Sequence, residues 1–158
     1  MIFQSGSSKD GPYEFGYEQG WHWSKNGGSY DNSRDFFWIH WEINEAKPNR
    51  VKLHIECPNA MVEPELNEIK QEMAQAFLSP QFKNLIEQSG YTYIPGRQIR
   101  PEHIRRNKGT QPFRIELTEH QCQSSRQANI EMVNAVMGQA IGEIVKRFTS
   151  QLNRHFGL

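Results

Sequence analysis

Two stretches decide the fold: Phe37-Trp38-Ile39-His40-Trp41-Glu42-Ile43 and Val51-Lys52-Leu53-His54-Ile55-Glu56-Cys57. Each alternates strictly between apolar and polar residues. In the first, Phe37, Ile39, Trp41 and Ile43 share one parity, and Trp38, His40 and Glu42 the other. In the second, Val51, Leu53, Ile55 and Cys57 oppose Lys52, His54 and Glu56. A period of two predicts half-buried strands. Asn44–Arg50, with Pro48 and Asn49, reads as the turn between them. The pair is predicted to be a β-hairpin with an apolar inner face and an outer face carrying histidines and glutamates.

Outward from the hairpin, Tyr13–Ser24 reads as a preceding strand. Tyr13, Phe15, Tyr17, Gln19, Trp21 and Trp23 lie on one parity, and Gly16 and Gly20 are read as a bulge or a close backbone approach. Asn26–Asn32 is a loop by composition. Beyond the hairpin the period changes to that of a helix. Leu66, Ile69, Met73 and Phe77 form an apolar stripe, and Pro64 suits its first turn. Ser79-Pro80 starts a short second helix with Phe82, Leu85 and Ile86, stopped at Gly90. Two further strands are predicted, over Tyr91–Ile94 and Phe113–Thr118. Ser124 to Gln127 reads as a capping box for a last helix. Its stripe runs from Ile130 to Leu152, and about 27 residues at 1.5 Å each would make it ~40 Å long. Extra apolar positions at Met132, Val136 and Val145 raise the option of a homodimer seam. The order is therefore β-β-β-α-α-β-β-α. It predicts an α+β two-layer sandwich, an antiparallel-rich sheet covered by the long C-terminal helix.

The 158 residues suit one domain over 13–158, after a flexible N-terminus at 1–12. No run approaches the ~18 apolar residues of a membrane span, and the polar start lacks the pattern of a signal peptide. A cytoplasmic protein is expected. The two cysteines, Cys57 and Cys122, lie outside any CxxC pair, which argues against thiolate zinc. Net charge is zero, yet residues 1–93 hold 8 basic and 13 acidic side chains, and residues 94–158 hold 10 and 5. No phosphate-binding or dinucleotide glycine loop and no nucleophile elbow is present.

Two surfaces are candidates for function. On the outer face of the meander, His40 opposite His54 would put Glu42 opposite Lys52 and Trp38 opposite Glu56. If His22 lay opposite His40, three imidazoles would cross the sheet in a row. His22, His40 and His54 are then candidate ligands for a divalent metal, with Glu42 or Glu56 completing the set. Trp38 on this face would mark a contact surface. The second surface is the segment 97–108, which holds Arg97, Arg100, Arg105, Arg106 and Lys108 against the single acid Glu102. Arginine forks suit phosphate and carboxylate.

Residues 36–94, through Glu42 and Glu56, resemble the core of the PD-(D/E)XK nucleases. The resemblance implies Glu42 as the strand-two acid and Glu56 as the acid of strand three, both on a metal. Glu56 is followed by Cys57 and Pro58 where that family has Glu-x-Lys, so Lys52 would have to serve as the lysine. The element order also looks like the type III secretion chaperone fold without its first helix, a likeness of topology that assigns no residue roles. The first expectation is a non-enzymatic, self-associating binding or regulatory protein, with no cofactor. It would hold a protein, a nucleic acid or an anionic ligand through the outer face or the Arg-rich loop. A metal-dependent phosphodiesterase or nuclease is the alternative.

Overall fold

The computed structural model describes residues 13–15, 20–24, 35–44, 46–96 and 109–158, the first three as backbone. The N-terminus 1–12, the loop Asn26–Asn32 and the basic residues Arg97, Arg100, Arg105, Arg106 and Lys108 lie outside them.

The strands are β1 (Tyr13–Phe15), β2 (Trp21–Ser24), β3 (Phe36–Asn44), β4 (Arg50–Glu56), β5 (Thr92–Pro95) and β6 (Gly109–Glu116). A 3-10 turn at Pro58–Met61 leads into α1 (Pro64–Phe77) and α2 (Pro80–Gln88). The chain ends in α3 (Arg126–Lys146) and α4 (Thr149–Phe156). The sheet order is β1-β3-β4-β6-β5, with β2 also paired to β3. Every pairing is antiparallel. The α+β class and the sheet-plus-helix architecture thus follow the sequence pattern. Among the described residues no helix is long and apolar enough to cross a membrane.

The inner face behaves as the alternation demands. Phe37, Ile39, Trp41, Ile43, Val51, Leu53 and Ile55 are fully buried. They meet Leu66, Ile69, Met73 and Phe77 of α1 and Ile130, Val133, Met137 and Ile141 of α3. Each such side chain contributes roughly 1.5–3 kcal/mol by leaving water. Polar ties fix how the layers sit. The Trp41 Nε1–H donates to Asn134 Oδ1 of α3 at 2.8 Å. Asn129 Nδ2 donates to the Pro48 carbonyl at 3.0 Å, fastening α3 to the β3–β4 turn. Cys57 is a buried free thiol, and burial pushes its pKa up to about 12, so it stays protonated and inert.

Several expectations need correction. The first strand is two: Phe15 faces Glu42 while Trp21 faces Ile39. Six residues of this segment therefore span three of β3, and the odd excess breaks the parity that the sequence pattern assumed. The last helix is not continuous. Its final turn tightens, with Arg147 N–H bonded to the Ile144 carbonyl at 3.1 Å, and α4 starts afresh. Phe148 at the break and Leu152 and Phe156 of α4 remain buried in the core. The cap of α3 is Ser125 rather than Ser124; its hydroxyl accepts from Ala128 N–H. Of the three extra apolar positions on that helix, Val145 is buried, Met132 packs against the core, and Val136 is 49% exposed.

Candidate metal and anion site on the outer sheet face

The β3–β4 register pairs His40 with His54, Glu42 with Lys52 and Trp38 with Glu56, the arrangement expected from parity. His40 and Glu42 stand two apart on β3, so both project from the same face. His54 reaches them from β4. The result is a triangle of donor atoms. His54 Nδ1 lies 3.2 Å from Glu42 Oε2, His40 Nε2 lies 3.5 Å from the same oxygen, and the two nitrogens are 3.4 Å apart.

This triangle is held out of water. The His40 side chain is 0% exposed, that of Glu42 8% and that of His54 17%. Burial drives the His40 pKa down to about 4 against the pull of Glu42, and His54 and His22 add to the drop. Burial alone would raise Glu42. The hydrogen bonds and charge of His40 and His54 outweigh it and hold the carboxyl well below the usual range. At neutral pH the site therefore offers a neutral His40 imidazole and a carboxylate, the forms in which these groups ligate metals.

The third histidine is not part of it. His22 faces Trp38, not His40: the β2–β3 register keeps it on the same face but two residues along β3. Among the described residues, the group that could hold a metal is His40, Glu42 and His54, and His22 instead stacks on Phe36, ring centroids 5.8 Å apart. His22, Phe36, Trp38 and His40 are all buried, so this half of the outer face is not the solvated surface its polar residues suggest. Trp38, expected as an exposed contact residue, is 2% exposed and packs its ring 4.1 Å from that of His40.

Nor are the two glutamates brought together. Glu56 lies four residues beyond the Lys52 position that faces Glu42, about 13 Å along the strand. Its electrostatic neighbour is Lys70 of α1. The two-acid metal site implied by the nuclease resemblance is therefore not assembled by this register.

The other half of the outer face is open. Lys47, Arg50, Lys52, His54 and Arg114 line a cleft of about 430 Å³. Sequence reasoning missed this group, because Arg114 arrives from β6, which inserts between β4 and β5 in the sheet. The register puts Lys52 opposite Arg114 and Arg50 opposite Glu116. Both arginines reach Glu116 Oε1, Arg114 at 2.8 Å and Arg50 at 3.3 Å. Burial lowers the Lys52 pKa; Glu42 opposes the drop, and the charges of Arg114, Lys47 and Arg50 reinforce it. The cations thus crowd one another. Gly96 and Gly109, which bracket residues 97–108, also line the cleft. No protein-family model, no curated protein and no solved structure matches this chain.

Proposed function

We propose that the protein binds a phosphate-bearing ligand in the cationic cleft on the outer face of β4 and β6. The observation that carries this reading is the convergence of Lys47, Arg50, Lys52 and Arg114 on one cavity. Like charges held together cost free energy that a bound anion returns. The volume suits a small ligand or one unit of a larger one. The mix of arginine forks and lysine point charges suits phosphate oxygens. The Arg-rich segment supports the same reading, because the chain leaves the cleft at Gly96 and returns to it at Gly109.

The test is titration calorimetry with inorganic pyrophosphate at two salt concentrations. Hydrogen bonds to charged groups contribute about 1.5–3 kcal/mol each. The double variant Lys52→Ala/Arg114→Ala should therefore bind at least about 100-fold more weakly, and wild-type affinity should fall as salt rises. Equal affinity in the two proteins sinks the reading.

A further inference from the structure

We propose that His40, Glu42 and His54 form a three-ligand site for a divalent metal of the zinc class, with a fourth position left for water or an incoming anion. Four-coordinate zinc has bonds of about 2.0–2.1 Å, which sets neighbouring ligand atoms ~3.3 Å apart, whereas octahedral ions with bonds of that length set them ~3.0 Å apart. The three sides of the triangle are 3.2, 3.4 and 3.5 Å. They trace one face of a tetrahedron.

Hydrogen bonding accounts for at most two of the three contacts. A neutral imidazole nitrogen either donates or accepts, and a carboxylate only accepts. If both nitrogens donate to Glu42 Oε2, they are left 3.4 Å apart with no hydrogen bond between them. If one is bare, its lone pair faces a second lone pair. At most two sides of the triangle can be satisfied by protons. A cation at its centre satisfies all three. The donor set, two imidazoles and one carboxylate, is that of a catalytic rather than a structural zinc site, which keeps an open position.

Access is also provided. His54, the most exposed of the three ligands, lines the cationic cleft with its ring. The metal site stands whether or not that cleft holds an anion, because none of its ligands is one of the four cations.

The experiment uses the full chain, stripped with a chelator and titrated with zinc, and separately with cobalt as a spectroscopic probe. One equivalent of zinc should bind and raise the melting temperature. Cobalt should give the intense visible bands of a four-coordinate centre. His54→Ala removes a partly exposed ligand and should keep its fold by circular dichroism, yet lose at least about 100-fold in zinc affinity, since even outer-shell changes cost 10–100-fold. Glu42→Gln keeps side-chain volume and should lose comparably. Binding that is substoichiometric, or equal in wild type and His54→Ala, overturns the proposal as adventitious metal on other histidines. A pale six-coordinate cobalt spectrum overturns the tetrahedral assignment.

Discussion

Gly109 is glycine because His54 leaves no room for anything larger. A β-carbon built there would collide with the His54 ring, nearest to Nε2 and 2.7 Å from Cε1. The backbone at Gly109 needs no left-handed conformation, so an alanine would act through bulk alone. His54 is fixed between this contact on one edge and Glu42 Oε2 on the other. Gly109→Ala should push the ring off Glu42. Overpacking of this kind costs about 1–3 kcal/mol, to be read by urea unfolding. The Nδ1 resonance of His54 should lose its hydrogen-bonded shift. A variant with unchanged stability and an unchanged His54 signal would show that the ring has another place to go. Gly109 thus serves as a positioning residue for the triangle. The sequence marks it only as the glycine that closes a basic segment.

At the scale of elements, β3 is the strand on which both layers depend. Its inner residues enter the core, its outer residues build the donor triangle, and α3 grips it through Trp41. Asn134 is 9% exposed and its amide oxygen accepts the Trp41 Nε1–H. Asn134→Ala should leave that buried donor unpaired, at a cost of about 1–3 kcal/mol. A thermal or urea melt checks it; a cost under about 0.5 kcal/mol would mean that water replaces the amide. The hairpin was legible because a period of two, once a turn is placed, also fixes which residues share a face. That brought out His40, His54 and Glu42 as neighbours. The parts that were not legible depend on distant pairings. The break between β1 and β2 involves an odd excess of residues, and parity gives no warning of it; His22 keeps its face and leaves the row through a separate two-residue offset of β2 on β3, which parity does not fix either. The cleft depends on β6 lying beside β4, a choice made by the packing of Phe113 and Ile115 under α1. Its sequence trace is faint: Arg50, Lys52 and His54 on one parity of β4, and Arg114 on β6.

At the scale of the whole molecule, one lysine among the described residues is buried, and its cost can be read through pH. Lys70 of α1 is 0% exposed, beside Cys57 and Glu56. Burial lowers its ammonium from 10.5 to about 8, against the pull of both neighbours. Below pH 8 the folded and unfolded chains both hold this proton, so it contributes no pH dependence there. Between about 8 and 10.5 the folded chain has released it and the unfolded chain has not. The unfolded state then binds more protons, and stability rises with pH. Cys57 acts in the opposite sense. Its thiol is raised from 9.0 to about 12, so above pH 9 the unfolded chain loses a proton that the folded chain keeps, and stability falls. The net alkaline profile is therefore a compromise, and neither group is visible in wild type alone. Lys70→Met removes only the rising part. From pH 8 to 10.5, the stability of wild type relative to Lys70→Met should climb by up to roughly 3 kcal/mol, at 1.36 kcal/mol per pH unit. Urea midpoints for both proteins across this range measure it. A difference that stays flat would mean that Lys70 keeps its ordinary pKa in the fold, and that Cys57 and Glu56 compensate its burial in full.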